Sequence, residues 1–252
     1  MIRLRPSVKP SFCNSATKTG YPAPLETASS ELAASPSIPI VVLANNYDPI
    51  ARGYVASLAR PGGRITGWFY RQLELGRKRV ELLTEAFPAR RRLAVLSDAS
   101  SSETSEAAEA TAKSLGLQVH SVKLEHPPYD FEAAFQSAAA GSPEMLLVAS
   151  SRFFARDRSQ IAELAISHGL PAMFNFSAYT RAGGLMSYGV DPLPPWRRVA
   201  SYVVKILRGA KPTDLPLEQA TTFELALNLK TARALGIELP TSILLRADEV
   251  IE

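Results

Sequence analysis

Short apolar runs alternate with amphipathic segments along most of the chain. Continuous runs rich in Val, Ile and Leu are typical of strands covered on both faces, as in a parallel sheet flanked by helices. Strand, helix, strand at this spacing is typical of βαβ units with right-handed crossovers, so the pattern predicts an α/β fold. The predicted strands are Ile38–Ala44, Ile65–Tyr70, Arg92–Ser97, Gln118–Leu124, Glu144–Ala149 and Pro171–Phe176.

Helices are predicted between these strands because apolar residues recur three and four positions apart. Gly116 and Gly169 follow two of these segments, at the position where a glycine commonly ends a helix. After Gly189 the pattern changes, and Phe223–Asn228 alternates like a half-exposed strand before the closing segment Pro240–Ile251. The predicted helices are 51–59, 73–86, 103–115, 131–140, 156–168, 195–207 and 230–235.

The segment Arg181–Gly189 has two interpretations. Its two glycines permit a sharp turn, and a short apolar pair then leads to Ser187 and Tyr188. On its own, this pattern fits a tight hairpin whose tyrosine covers the core. It also fits a strand that ends at a ligand, with a hydroxyl, a phenol and a bare backbone exposed there.

Residues 1–37 are rich in Ser, Pro, Thr and Ala and contain few large apolar groups. Such a segment cannot bury enough surface to offset the entropy of ordering it. We therefore expect an unstructured tail before the first strand.

Composition and charge exclude several classes of protein. The chain has 252 residues, 46% of them hydrophobic, which is enough for one large or two small lobes. Its net charge is +4, but the basic residues are scattered, so no nucleic-acid-binding stripe is predicted. Cys13 stands alone and the three histidines have no ligand spacing, so we expect no metal and no cofactor. Met1–Gly20 lacks the apolar core of a secretory signal, and no apolar run has the length of a membrane helix.

Candidate ligand-binding residues follow from the rule that open α/β sheets bind ligands at the carboxyl ends of their strands. The side chains predicted there are polar and mostly uncharged, which suits the orientation of a small solute. Trp68 and Tyr70 are added as flat apolar walls. The strand-end candidates are Asn45, Tyr47, Asp48, Asp98, Ser100, Ser101, Ser151, Asn175, Ser177 and Tyr188.

Each of these candidates also has a structural interpretation. Ser100 and Ser101 can simply cap the helix that begins near Glu103, whose free N–H groups would also favour an anion. Asp98 can hold a loop, and Trp68 can be core at the junction of two lobes. The sequence contains no nucleophile elbow, Walker loop, zinc-protease motif or dinucleotide fingerprint, so we expect a binding protein and not an enzyme.

A series of short blocks occurs in a fixed order from Ile38 to the C-terminus. The blocks are Ile38–Val41, Asp48–Pro49, Gly53, Ser57–Gly63, Ile65–Gly67, Ala182–Gly189, Leu207–Pro216, Phe223–Leu225, Asn228–Ala232, Ala234–Gly236 and Arg246–Ile251. Together they resemble the substrate-binding proteins of ABC-type uptake systems, in the branch related to tryptophan- and tyrosine-binding components. The resemblance implies a two-lobed type I periplasmic binding protein that closes over a small amphipathic solute, such as an amino acid or an aromatic acid.

The resemblance also implies partners, a location and a division of the chain. Permease subunits in the membrane would be the partners, and the location would be periplasmic or in the cell envelope. As written, however, the chain carries no export signal and would stay cytoplasmic. Residues 91–192 would form a complete second lobe, and 38–90 with 193–252 an incomplete first lobe with its C-terminal return. Tyr188 would then end the last strand of the second lobe, with its ring in the cleft between the lobes.

Three alternatives remain at this point. The first is a truncated, inactive relative, because family members carry a signal peptide and several βα units before the block that here begins at Ile38. The second is a cytosolic effector-sensing α/β module, although residues 1–37 cannot supply a helix-turn-helix. The third is an α/β enzyme such as a small-molecule transferase, which would require a reactive residue in the cleft.

Overall fold

Two sheets, mostly parallel, organise the part of the chain that the structure describes. In this computed structural model that part comprises residues 38–45, 49–50, 53, 55–151, 153–191 and 193–252. Its strands are β1 (Ile40–Asn45), β2 (Ile65–Tyr70), β3 (Arg92–Asp98), β4 (Gln118–Leu124), β5 (Met145–Val148), β6 (Ala172–Phe174), β7 (Met186–Gly189), β8 (Leu217–Gln219), β9 (Glu224–Asn228) and β10 (Glu249–Ile251). Its helices are α1 (Gln72–Ala86), α2 (Ser102–Ser114), α3 (Phe131–Ala139), α4 (Arg158–Ser167), α5 (Ser177–Arg181), α6 (Leu193–Leu207), α7 (Leu229–Ala234) and α8 (Thr241–Leu244), with 3₁₀ turns at Ala99–Ser101 and Pro212–Asp214.

The small sheet has the order β1-β2-β8, and its strands are all parallel. At its centre β1 and β2 approach closely at Gly67, where an added Cβ would lie 2.1 Å from the Val42 carbonyl oxygen. Glycine is therefore required at this position. Helix α6 packs against β1 and β2.

The large sheet has the order β10-β9-β7-β6-β5-β3-β4. Its strands pair in parallel except for β7 and β9, which are antiparallel. Strand β3 shows why the apolar run was continuous. Leu93 and Val95 belong to the core on one face of the sheet, whereas Ala94 and Leu96 belong to the core on the other.

Helices cover both faces of the large sheet. On one face α1 buries Val80, Leu82 and Leu83 almost completely. On the other face α3 and α4 contribute Phe131 and Ile161. Full burial of each such side chain stabilises the fold by about 1.5–3 kcal/mol. The α/β class with parallel sheets flanked by helices is thus confirmed, and Ile40–Glu252 form one compact unit.

The chain passes between the two sheets three times in its described part. It leaves the small sheet after β2 to form α1, returns after β7 to form α6, and leaves again after β8 to enter β9. We call the place where these passages meet the crossover junction. Its buried members are Trp68, Leu75, Val190 and Ala220, and its half-buried members are Leu43, Tyr70, Tyr188, Val199 and Phe223.

Several sequence-based expectations are corrected by these elements. The described residues of the predicted helix 51–59, Gly53 and 55–59, form turns and bends in place of a helix, since a backbone turn at Gly53 and the Ser57–Arg60 hydrogen bonds shape this stretch. The tight-hairpin interpretation of 181–189 is wrong, because β7 runs parallel to β6. Strand β8 and helix α5 were not predicted, because each is too short to show a period.

The C-terminal part of the chain is shared between the sheets. The sequence prediction assigned all of 193–252 to the first lobe, yet β9 and β10 pair in the large sheet beside β7. Helix α1, which was grouped with residues 38–90, also packs on the large sheet. The division into lobes at residues 90 and 192 therefore stays a prediction, and the predicted tail 1–37 lies outside the described residues.

No helix in the described ranges is long and apolar enough to cross a bilayer.

Candidate functional site

The carboxylate of Asp98, at the end of β3, is buried and accepts hydrogen bonds from four hydroxyl groups. Ser100 and Ser101 each donate to its Oδ1 over 2.8 Å. Tyr129 and Ser151 donate to its Oδ2 over 2.8 and 2.5 Å. A carboxylate has about four lone-pair sites, so this acceptor is fully used inside the protein.

This arrangement decides between the interpretations of Asp98. The backbone N–H of Asp98 also donates to Ser101 Oγ over 2.9 Å, which closes the loop between β3 and α2. Asp98 therefore holds the strand ends in place and is not a free acceptor for a solute. It orients its neighbours instead, because Ser100 Oγ and Ser151 Oγ lie 3.3 Å apart with their protons directed to the carboxylate.

Asn175 follows β6 and is 1% exposed, with one polar atom that has no partner. Its Nδ2 donates to Ser150 Oγ over 2.7 Å, whereas its Oδ1 has no partner. A serine hydroxyl both donates and accepts, so one end of this amide is unpaired in either orientation. A buried unpaired polar group costs about 1–3 kcal/mol, and a ligand that pairs with it removes that cost.

The aromatic candidates meet at the crossover junction. The rings of Trp68 and Tyr70 lie 5.5 Å apart at a tilt of 49°, and the ring of Tyr188 lies 6.1 Å from that of Phe223. Trp68 is 8% exposed, so it is mainly a core residue of this junction. This agrees with the alternative that it packs in the core. Tyr70 and Tyr188 are half-buried, and they stay predicted walls of a solute site.

Arg79 of α1 is a buried charged residue that the sequence analysis missed. Its Nε donates to the Tyr188 carbonyl over 2.6 Å, and its Nη2 donates to Gln72 Oε1 over 3.0 Å. Burial lowers the pKa of Arg79 to about 10, against a smaller opposing effect of Tyr70 and Tyr188, so it stays charged at neutral pH. Arg79 lies four residues after Leu75 on the apolar stripe of α1, and a charged residue in that stripe was the available signal.

Gly189 explains how closely these groups approach one another. A Cβ at Gly189 would lie 1.9 Å from the Asn175 carbonyl oxygen and 3.4 Å from Arg79 Nη2. A side chain at this position is therefore excluded, and the end of β7 fits between Asn175 and the guanidinium. The carboxyl ends of β6 and β7 thus meet α1 at the crossover junction.

The remaining candidates are less informative. Ser177 is buried near Glu224 of β9, whose pKa is raised by burial and then by Glu249, with Ser177 as a smaller opposing effect. Asn45 ends β1 opposite Tyr70 of β2. Tyr47 and Asp48 lie outside the described residues.

A concavity lies at the far edge of the large sheet, away from the crossover junction. Arg92, Gln118, His120 and Gly141 line it at the amino ends of β3 and β4. Parallel α/β sheets bind ligands at the carboxyl ends of their strands, so we do not assign the solute site here.

Comparison with known proteins identifies a matching family. The model of the family described as "ABC transporter substrate binding protein" matches residues 23–251. The match begins within the predicted tail 1–37, so the expected start of the resemblance at Ile38 is corrected. Among curated proteins, the "Tyrosine-binding protein" of Clostridioides difficile (strain R20291) is 22% identical over 209 residues, which are 81% of this chain and 59% of that protein. The chain thus spans about three fifths of the length of this relative.

Solved structures share the fold. The ABC domain from Streptococcus pneumoniae in complex with L-Trp is 26% identical with a TM-score of 0.72, over 89% of this chain and 77% of that chain. A conserved domain protein from Vibrio cholerae is 25% identical with a TM-score of 0.74, over 89% of this chain and 75% of that chain. The ligand-free, open structure of CD0873 from Clostridium difficile, at 22% identity and a TM-score of 0.61, is similar in fold over 89% of this chain and 75% of that chain.

Proposed function

The chain belongs to the ABC transporter substrate-binding protein family, and from this premise we propose that it is the solute-binding component of an ABC-type uptake system. One observation carries the proposal. Polar groups without partners, half-buried tyrosines and the three crossovers converge at the carboxyl ends of parallel strands. This is the position where open α/β sheets bind small molecules.

The solute would be held between the two sheets, and the crossovers would act as hinges. Hinges are usually a few residues at the ends of elements, and closure around the solute follows from rotation about them. The bond from Arg79 to the Tyr188 carbonyl ties α1 to the crossover that follows β7. Closure of the hinge would bring the half-buried faces of Tyr70 and Tyr188 onto the solute.

The solute we propose is a small amphipathic molecule, an amino acid or an aromatic acid. The support comes from two sides. Half-buried phenol rings offer flat apolar contact, and the unpaired Asn175 amide offers a polar contact. The relatives with tyrosine or L-Trp in their names point to the same class of solute.

We further propose that permease subunits in the membrane accept the solute from the closed form, and that the protein works in the periplasm or cell envelope. The proposal includes no chemical turnover. Asp98 supports this view, because the four hydroxyl groups that surround it leave no lone pair for general-base chemistry.

The test is a calorimetric titration of the full chain with the twenty common amino acids and a set of aromatic acids, supported by thermal unfolding. A solute at 100 times its Kd adds about 2.7 kcal/mol of stability, and we expect this for at least one aromatic member. Asn175→Ala should weaken that binding about tenfold, whereas Ser114→Ala on the exposed end of α2 should leave it unchanged. If no member of the set binds, or if Asn175→Ala binds as the unmodified chain does, the proposed site is wrong.

A further inference from the structure

Two buried side chains at the crossover junction, Gln72 and Arg79, combine an unpaired hydrogen-bond donor with a positive charge. A guanidinium carries five N–H groups, and the structure engages two of them in Arg79, one with Tyr188 and one with Gln72. Gln72 is 1% exposed and Arg79 is 2% exposed. Because arginine can only donate, Gln72 must turn its oxygen to Arg79, and its Nε2, which has no partner, is therefore a donor.

The charge of Arg79 is not balanced within the described part of the chain. The ion pairs in these residues join other side chains. The Arg79 guanidinium donates to the Tyr188 carbonyl and to Gln72 Oε1, which are both uncharged. A buried charge without a counter-ion is costly, and its cost falls when an anion with matching geometry arrives. The guanidinium charge of Arg79 and the unpaired Nε2 of Gln72 together favour a ligand that carries negatively charged hydrogen-bond acceptors.

The position of these donors is the solute-binding edge of the sheets. Gln72 begins α1 two residues after β2 ends at Tyr70. The guanidinium lies against Gly189 at the end of β7, beside the carbonyl of Asn175 that follows β6. Arg79 and Gln72 therefore lie where β2, β6 and β7 end, at the crossovers that the hinge would move.

We propose that Arg79 and Gln72 form a subsite for the carboxylate of the solute, so that the protein selects solutes that carry a carboxylate. This inference rests on the proposed solute-binding function and deepens it. The guanidinium and the Gln72 amide donate to the two carboxylate oxygens, as charge-assisted hydrogen bonds commonly do at arginine sites. Opening of the crossovers admits the carboxylate, and closure covers it.

The test compares matched solutes on the full chain by calorimetry. The pairs are L-tyrosine with tyramine and L-tryptophan with tryptamine, which differ only in the carboxylate. The unmodified chain should bind each acid at least tenfold more tightly than its amine. Arg79→Met should weaken acid binding about 10–100-fold and amine binding less than twofold, and Arg79→Lys should restore part of the preference.

Arg77→Met is the matched control, because Arg77 lies on the exposed face of the same helix and should change neither affinity. Circular dichroism checks that each variant folds, and Arg79→Lys keeps the test valid should Arg79→Met fail to do so. Equal weakening of acid and amine in the Arg79 variants would assign the residue to hinge structure alone and overturn the subsite.

A second measurement distinguishes failure of the carboxylate subsite from failure of the proposed solute class. Sodium acetate should raise the unfolding temperature of the unmodified chain by about 2 °C over sodium chloride at equal ionic strength, and Arg79→Lys and Gln72→Leu should reduce this effect. If acetate stabilises but no amino or aromatic acid binds, the subsite stands and the proposed solute class fails. If the acids bind but acetate has no specific effect and the amines bind equally well, the solute-binding function stands and the subsite fails.

Discussion

At the scale of single residues, the polar side chains at the strand ends divide into two groups. Asp98 and the hydroxyls around it satisfy one another and so fix the loop after β3. Asn175 and Gln72 keep unpaired groups near the crossovers, and the buried Arg79 has no carboxylate partner among the described residues. The first group makes the strand ends rigid. The second group offers a ligand hydrogen-bonding groups and a positive charge.

Asp98→Asn tests the structural role of this carboxylate. An amide would offer one oxygen and two donors to four hydroxyl donors, so at least one buried pair would be lost. We expect a loss of about 2–4 kcal/mol in the free energy of unfolding, measured by denaturant titration. Asp130→Asn is the control, because Asp130 is exposed and caps α3 through the backbone N–H of Ala133, which asparagine also does. A loss in Asp98→Asn no larger than in the control would contradict this role.

At the scale of elements, helix α6 depends on the short strand β8 for its attachment. Arg198 of α6 donates from Nε and Nη2 to both carboxylate oxygens of Glu218 on β8 over 2.5–2.9 Å, and Tyr202 donates to the same carboxylate over 2.5 Å. The hydrogen bond from Arg198 is the main cause that holds the pKa of Glu218 below its usual value; burial opposes it, and the hydrogen bond from Tyr202 adds a smaller lowering effect. We call these contacts of Glu218 with Arg198 and Tyr202 the Glu218 clasp. The third crossover begins directly after β8, so the Glu218 clasp anchors one of the hinges.

Glu218→Gln should weaken the Glu218 clasp, because a neutral amide binds Arg198 less strongly than a carboxylate does. The expected result is faster amide hydrogen exchange in α6 and β8, measured by mass spectrometry, with little change in β3 and β5.

A fall in pH should also weaken the attachment of α6 to β8 in the unmodified chain. A carboxyl group whose folded pKa is lowered contributes stability above its unfolded pKa and loses it as pH falls through the folded value. Glu238→Gln, at an exposed position, is the control, and equal exchange in the two variants would show that the clasp does not hold α6.

At the scale of the whole molecule, the two sheets differ in size. The large sheet has seven strands and apolar clusters on both faces, whereas the small sheet has three strands and buries Val42, Phe69 and Leu217 among its described residues. Local stability follows buried apolar contact, so the two sheets should open independently. A small sheet with lower local stability than the large sheet is compatible with closure by hinge rotation.

Hydrogen exchange across the whole chain tests this asymmetry. Amides in β3, β5 and β6 should exchange slowest, and those in β1 and β8 about 10-fold or more faster, because fewer apolar contacts must break to open the small sheet. Addition of a bound solute should slow exchange at the crossovers more than in β4, which lies at the far edge of the large sheet. Uniform protection of both sheets, or protection by solute that is strongest in β4, would contradict this picture.

The elements that could be predicted are those with long, regular patterns. The strands β3 to β6 and the helices between them were predicted within a few residues, because their apolar runs and helical stripes are set by local sequence. Strand β8 and helix α5 were not predicted, since three to five residues do not define a period. The helix expected at 51–59 was wrong in its described residues because turn hydrogen bonds outweigh a weak helical stripe there.

The sequence by itself thus determined the α/β class, the family, and the list of polar residues that follow the strands. It could not determine which of those residues satisfy one another, because a strand end has no partner until other strands lie beside it. Only the tertiary structure showed that Asp98 is fully paired, that β9 and β10 join the large sheet, and that Arg79 lies buried beside Gly189. These facts depend on contacts between strands and helices that are separate in the sequence, and such contacts arise only when those elements pack together.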